Sequence, residues 1–218
     1  MTVTNNDLTI FTNKNENGIK LSDRLNTVLT NSKYFDVLVG YFRITGFYLL
    51  KEQLEDVKEI RILIGLGADI ETVRAMDIFE LSGANATRKV QKVIKEEFNN
   101  TEDDNLEMEN GVFKFCEWIK SGKLKIRMCY EKNVHAKLYI VRKDPNKVPD
   151  QFGNLITGSS NFTFNGLDKN VEFNVELKNQ SDVQYGLDFF EELWKDSKDI
   201  TEDILTTINN DTWMNKNI

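Results

Sequence analysis

Histidine and cysteine are among the scarcest residues of this chain, and their scarcity limits the chemistry open to it. The 218 residues include one histidine, His135, and two cysteines, Cys116 and Cys129. A structural zinc site uses about four nitrogen or sulfur ligands, and the chain offers only these three side chains. The cysteines also lack the CxxC spacing of redox and metal motifs. We therefore expect no zinc site, and no metal or other cofactor.

Long apolar runs are absent as well, and prolines are few. No segment approaches the roughly 20 apolar residues that a membrane-spanning helix needs. The N-terminus, MTVTNNDLTIF, lacks the basic and apolar regions of a signal peptide. Two prolines and twelve glycines are too few for a linker-rich or disordered chain. These absences predict a folded, cytoplasmic protein without a membrane partner, made of one large domain or two small ones.

Positive charge is in the minority, because 28 Lys and Arg residues face 35 Asp and Glu residues, a net charge of −7. This balance argues against a general nucleic-acid binder. Basic residues are nevertheless concentrated around the lone histidine: the window from Lys120 to Lys147 holds nine of them against two acidic residues. Such a window is either a solvated face or a surface that binds a polyanion, and the sequence leaves both interpretations open.

Segments of strand length alternate with segments of helical periodicity along the chain. Strands are predicted at 8–11, 35–42, 60–66, 124–128, 134–141, 155–157 and 171–177. Helices are predicted near 19–29, 45–54, 69–79, 86–98, 111–120 and 183–194, and the acidic stretch 99–110 is predicted to be an exposed loop. Short apolar strands alternating with helices indicate an α/β fold with a mixed sheet that helices cover on both faces.

The histidine lies in one of the predicted strands, in the stretch NVHAKLYI. Because side chains alternate between the two faces of a strand, His135, Lys137 and Tyr139 are expected on one face. This arrangement places an imidazole, which can act as a base or nucleophile, close to a fixed positive charge. On its own, an isolated histidine in an apolar segment is more often a packed structural residue.

Two further features lie downstream of the histidine. Gly-Ser-Ser-Asn at 158–161 follows an apolar strand, and backbone N–H groups and an Asn amide at such a turn can donate to phosphate oxygens. Glu172 follows eleven residues after Asn161, at the start of the next alternating strand. Glu176 shares its strand face, so either carboxylate could simply face solvent, and the distance from Asn161 favours Glu172.

Together, HAK at 135–137, GSSN at 158–161 and Glu172 resemble the HxK…GSxN…(E/D) signature of the phospholipase D (PLD) superfamily. The likeness is strongest to its metal-independent nuclease branch, which includes a type IIS restriction endonuclease domain and helicase-associated domains. The resemblance implies one PLD-like α/β/α sandwich over residues 1–218, with a core of about 8–200. It also implies a catalytic module of a larger system, with a helicase or a specificity domain or subunit as partner.

The resemblance implies a role for each motif residue in hydrolysing DNA phosphodiester bonds without a metal. His135 would be the nucleophile that forms a phosphohistidine, or the acid that protonates the leaving oxygen. Lys137 and Asn161 would hold the non-bridging phosphate oxygens, and Glu172 would orient the imidazole. Further phosphate contacts are expected from Ser159 and Ser160, and contacts to the DNA backbone from Arg43, Lys132, Arg142 and Lys143.

The family mechanism uses two histidines, whereas this chain has one and no internal repeat. The resemblance therefore implies a homodimer whose active site is shared between two copies of the motif.

The sequence departs from the fuller family motif at one position, because Arg142 stands where an Asp is usual, five residues after Lys137. Two alternatives therefore stay open: a phospholipase or phosphatidyltransferase acting on lipid phosphodiesters, and a non-catalytic PLD-like DNA-binding module. Phe162 and Phe164, just beyond the GSSN turn, are interpreted as core residues rather than a platform for stacking bases.

Overall fold

The computed structural model describes residues 9–14, 18–65, 106–130 and 134–211, without side chains for 106–110 and 209–211. Its strands are β1 Ile10–Thr12, β2 Ser32–Val39, β3 Glu59–Gly65, β4 Leu124–Cys129, β5 Leu138–Lys143, β6 Gly153–Gly158, β7 Phe173–Leu177 and β8 Lys198–Asp199. Its α-helices are α1 Leu21–Leu29, α2 Ile44–Tyr48, α3 Lys51–Leu54, α4 Leu106–Lys120, α5 Gln180–Lys195 and α6 Thr201–Asp211, with a π-helical turn at Asn165–Lys169.

The strands form one mixed eight-stranded sheet in the order β1-β7-β6-β5-β2-β3-β4-β8. Strands β2, β3 and β4 are parallel neighbours, whereas every other pairing is antiparallel. The parallel strands β2 and β3 carry buried apolar residues on both faces, as is usual for strands that helices cover on both sides. The antiparallel strands β5, β6 and β7 bring the start of β5, the end of β6 and the start of β7 to the same edge of the sheet.

Helices cover both faces of this sheet. On one face, the sheet packs through residues such as Val37 and Tyr139 against α1, α2, α4 and α6. On the other face, Leu38 and Ile140 pack against Val183 and other residues of α5. The predicted PLD-like α/β/α sandwich is thus confirmed, and the alternation of side chains in β2 and β5 explains why one strand supplies both cores.

Several element bounds differ from the predictions. The loop predicted at 99–110 is wrong for its last five residues, because α4 begins at Leu106. The helix predicted over 45–54 is divided into α2 and α3, and α6 was not predicted. The helices predicted at 69–79 and 86–98 lie outside the described residues. Elsewhere the predicted strands and helices are present with shifted ends.

Candidate active site

Three segments that carry the candidate residues meet at one edge of the sheet. Residues 134–137 directly precede β5, residues 159–161 directly follow β6, and Glu172 directly precedes β7. Leu138 at the start of β5 pairs with Thr157 near the end of β6, and Gly158 pairs with Asn174 near the start of β7. Because these three strands are adjacent in the sheet, the three segments leave it side by side. Motif residues separated by up to 37 positions in the sequence are therefore brought to the same edge.

The segment around His135 is not part of a strand, so the predicted strand at 134–141 is wrong at its first four residues. The chain beyond β2 turns away from β5 here, and the backbone N–H of Arg43 donates to the Phe162 carbonyl at 2.9 Å. Residues 134–137 instead run past the end of β3. Gly65 is required at that point, because a Cβ there would collide with the Val134 carbonyl oxygen.

The His135 side chain is exposed, and within the described residues no hydrogen bond to its imidazole is found. His135 is therefore not a histidine that is packed in the core. Lys137 is half-buried, its ammonium donates to the His135 carbonyl at 3.1 Å, and its own carbonyl accepts from Thr157 Oγ1 at 2.9 Å. These bonds hold the ammonium close to the backbone that carries the imidazole.

The two serines of the GSSN turn have different surroundings. Ser160 is fully buried and its hydroxyl donates to Asn174 Oδ1 at 3.1 Å, while its carbonyl accepts from Tyr139 Oη at 3.0 Å. Burial, followed by the negative charge of Glu172, raises the pKa of Tyr139 well above its usual value, so the phenol remains a donor. Ser160 therefore stabilises the turn through its buried hydrogen bonds, whereas the side chain of Ser159 is exposed.

Asn161 and Glu172 are both half-buried beside this turn. The Asn161 Oδ1 accepts from the Tyr41 backbone N–H at 3.1 Å, which leaves the Nδ2 group as the donor for a substrate oxygen. The Glu172 carboxylate accepts from the Ser159 hydroxyl, and that hydroxyl also accepts from the Phe173 N–H at 3.2 Å. The carboxylate of Glu172 is thus bound to Ser159, and the expected contact with the His135 imidazole is not formed.

Burial distinguishes the two glutamates that the sequence could not separate. Glu176 is only 2% exposed, and its carboxylate accepts from Arg24 at 2.9 Å and from Asn154 at 2.6 Å. Glu176 is therefore a structural carboxylate inside the fold, whereas Glu172 lies at the edge with the motif residues.

The four basic residues expected to contact DNA lie in different places. Arg142 is seven residues from His135, about 23 Å along an extended strand. Its guanidinium binds the buried carboxylate of Asp36 at 3.0 Å. The Lys143 ammonium donates to the carbonyls of Val28 and Thr30 at 2.6 and 2.9 Å, and burial lowers the pKa of Lys143. Both residues are half-buried and paired within the chain towards the far end of β5, away from the motif residues.

Of the other two, Arg43 lies beside the GSSN turn, and Lys132 lies outside the described residues. Other cations of the basic window also have partners in the fold, since Lys125 pairs with Glu59 at 2.6 Å and Arg127 donates to the Trp194 carbonyl at 2.6 Å. The window is therefore spread over several elements and is not one continuous surface at the site.

A groove of about 1040 Å³ begins at Asn161 and Glu172. Arg43, which is predicted to contact the DNA backbone, lies in its wall together with Tyr41. Asn165 and Asn170 also line the groove, and they were not predicted because neither belongs to a motif. Across the described residues, no three His, Cys, Asp or Glu side chains are grouped closely enough to hold a metal ion. Nor does this part of the chain contain a helix long and apolar enough to span a membrane.

The family model for the PLD-like domain of cardiolipin synthase matches residues 25–194. Phosphatidylserine synthase from Haemophilus influenzae is similar in structure, with a TM-score of 0.51 and 15% identity over 88% of this chain and 39% of that one. This likeness concerns the fold alone.

Two smaller proteins are also similar to this chain. The first is Nuc, a phospholipase D family member from Salmonella typhimurium, with a TM-score of 0.47 and 14% identity over 87% of this chain and 95% of Nuc. The second is NucT from Helicobacter pylori, with a TM-score of 0.46 and 9% identity over 87% of this chain and 96% of NucT. No curated protein sequence matches the chain. Because the family model matches most of the chain, this protein belongs to the phospholipase D superfamily of phosphodiesterases.

Proposed function

We propose that this chain is a metal-independent endonuclease that hydrolyses DNA phosphodiester bonds in the cytoplasm, with an active site shared by two copies of the chain. The observation that supports it best is the meeting of His135, Lys137, Ser159, Asn161 and Glu172 at one sheet edge. An exposed imidazole, a cation and an amide donor at this edge match the needs of a phosphodiester: a nucleophile and groups that stabilise negative charge on phosphate oxygens.

The first step of the proposed reaction cleaves the diester. An imidazole nitrogen of His135 attacks phosphorus, a P–N bond forms, and the P–O bond to the leaving group breaks. The leaving oxygen takes a proton from the imidazolium of His135 of the partner subunit. Lys137 and the Asn161 amide donate to the non-bridging oxygens, on which charge increases in the transition state.

The second step releases the product. Water attacks the phosphorus, its proton passes to the now neutral imidazole of His135 of the partner subunit, and the P–N bond breaks. Both steps need a nucleophile and a separate proton donor or acceptor, and one chain supplies one histidine. This requirement is the reason for proposing a homodimer, in which a two-fold axis brings the two imidazoles together.

Cleavage without a metal is the primary test. The purified protein is incubated in EDTA with supercoiled plasmid, a short-chain phosphatidylcholine and bis-p-nitrophenyl phosphate. We expect nicking of the plasmid and hydrolysis of the small diester at rates that added magnesium does not change. Activity that requires magnesium would contradict the proposal. Hydrolysis of the lipid without plasmid cleavage would favour a lipid phosphodiesterase, and DNA binding without any hydrolysis would favour a non-catalytic module.

The shared active site predicts a specific result for mixed dimers. Wild-type and His135→Ala chains carrying different tags are co-expressed in equal amounts, so that half of the dimers are mixed. If each reaction needs both histidines, about one quarter of the wild-type activity should remain, rather than about half. Sedimentation of the same sample measures the oligomeric state. Half-activity, or a monomer that retains full activity, would contradict the shared site.

A helicase or a specificity subunit remains part of this proposal, because the chain itself has a net charge of −7. Tight sequence-independent binding to DNA normally uses a basic surface. An additional domain or partner that binds DNA would therefore deliver the substrate, as in a restriction system.

A further inference from the structure

The groove that begins at Asn161 and Glu172 extends away from the sheet edge between α2, α3 and the π-helical turn. Its volume of about 1040 Å³ lies at the upper end of the roughly 300–1,000 Å³ typical of ligand pockets. It is large enough for a nucleotide-sized group but not for an arm of duplex DNA. Two candidate catalytic residues lie in its wall, so whatever occupies it is positioned next to the reacting phosphate.

The wall of the groove is rich in side-chain amides. Five of the lining residues carry one: Asn26, Gln53, Asn161, Asn165 and Asn170. An amide group can donate and accept at the same time, which suits the mixed donor and acceptor edges of nucleobases. An acyl chain would instead need a continuous apolar lining.

Phe164 adds an aromatic surface to this wall. Its ring is 37% exposed, and the ammonium of Lys169 lies 5.6 Å from the ring centre. Phe162, two residues earlier, is only 1% exposed and stacks between Phe42 and Tyr139. The prediction that both rings belong to the core is correct for Phe162 and wrong for Phe164. An exposed aromatic ring is a surface on which an unpaired base can stack.

The formal charges of the groove balance. Arg43 and Lys51 are matched in number by Glu52 and Glu172, so the groove lacks the strong positive field of a surface that binds duplex DNA through many phosphates. The Arg43 guanidinium stacks on the Tyr41 ring with a separation of 5.1 Å. Within the described residues, no carboxylate forms an ion pair with Arg43, so its charge is available for a single phosphate.

The groove is also held in shape before anything binds. Tyr41 and Arg43 are tied to Asn161 and Phe162 by the two hydrogen bonds described above. The π-helical turn lies directly on the Asn161 backbone, because a Cβ on Gly166 would collide with the Asn161 carbonyl oxygen. A wall fixed in this way loses little conformational entropy when a ligand binds.

From these observations we propose that the groove binds one unpaired nucleotide of a nucleic-acid strand, adjacent to the phosphate that is cleaved. The base stacks on Phe164 and bonds to the amides of Asn165 and Asn170, and Arg43 binds the neighbouring phosphate. This inference rests on the proposed function and narrows its substrate to single-stranded or locally unpaired nucleic acid.

The test compares Phe164→Ala with Phe189→Ala. Phe189 is a matched control, since its ring is 40% exposed and lies on α5, on the other face of the sheet. KM and kcat are measured for a single-stranded oligonucleotide, the same sequence as a duplex, and bis-p-nitrophenyl phosphate. For Phe164→Ala, we expect KM for the single strand to rise about five- to hundredfold, the range for losing one stacked base. The loss on the small diester should be at least five times smaller, and Phe189→Ala should match the wild type.

Each outcome of this comparison decides the proposal. An unchanged KM for the single strand would overturn it, as would equal losses on the oligonucleotide and the small diester. A preference of the wild type for the duplex would also overturn it. Asn165→Ala, a change at an exposed position, provides a second variant in case Phe164→Ala folds poorly.

Binding separates failure of this inference from failure of the proposed function. Fluorescence anisotropy with a labelled single-stranded oligonucleotide needs no hydrolysis. If the wild type cleaves nothing but binds the oligonucleotide in a way that Phe164→Ala weakens, the groove proposal stands and the nuclease proposal fails. If Phe164→Ala binds as tightly as the wild type, the groove proposal fails irrespective of activity.

Discussion

Replacing His135 by alanine is expected to reduce cleavage of both plasmid and bis-p-nitrophenyl phosphate by at least about a thousandfold. The change removes the nucleophile and the proton donor from every active site, because a homodimer obtains both from the same position. Removing the nucleophile or base of a hydrolytic triad has effects of this size or larger. The measurement is the initial rate of p-nitrophenol release in EDTA, together with plasmid nicking.

Stability provides the necessary control for this variant. His135 is exposed and no described residue hydrogen-bonds its side chain, so surface substitution should change the free energy of unfolding by less than about 0.5 kcal/mol. Wild-type protein quenched during turnover with a labelled diester should carry the label on His135, and His135→Ala should carry none. A variant that is folded and retains more than a tenth of the activity would contradict a phosphohistidine at this position.

The candidate residues were identified through the resemblance to a family motif, and their segments meet because the motif residues flank strands. A strand end is visible in the sequence, and antiparallel neighbours bring such ends to the same edge of a sheet. The sequence does not show which residue each side chain contacts. The bond from the Tyr41 backbone to Asn161 joins residues 120 positions apart, and the bond of Arg142 to Asp36 joins residues 106 apart. The pairing of Arg142 with Asp36 could not be predicted for that reason.

Elements of the fold were predictable where the apolar periodicity is strong. The predictions failed where contacts with distant parts of the chain determine the local structure. Strands β2 and β3 are rich in apolar residues that are buried on both faces, and this pattern was enough to predict them. Residues 134–137 continue the alternating pattern of β5, but they do not form a strand. Helix α6 shows its buried stripe only at Ile204, Leu205 and Ile208, among polar residues, so it was recognised only in the structure.

The loss of Glu176 is expected to cost much more stability than the loss of Glu172, although both lie on the same segment and four residues apart. Glu176→Ala removes the carboxylate partner of Arg24, a residue that is only 4% exposed. Breaking a buried ion pair from one side leaves an uncompensated charge and costs about 3 to 5 kcal/mol. Glu172→Ala, at a half-buried position, should cost only about 1 kcal/mol. Urea unfolding followed by circular dichroism measures both values.

The effects of the two substitutions on activity should be in the reverse order of their effects on stability. Folded Glu176→Ala protein should cleave bis-p-nitrophenyl phosphate at close to the wild-type rate, whereas Glu172→Ala should be much slower, because only Glu172 lies at the edge with His135. The double change Arg24→Met with Glu176→Leu removes both buried charges and should recover most of the lost stability, since apolar pairs often replace buried ion pairs without loss. If the double variant is no more stable than Glu176→Ala, the cost comes from packing rather than from the unpaired charge. Equal activity losses at the two positions would remove the reason for assigning Glu172 to the site.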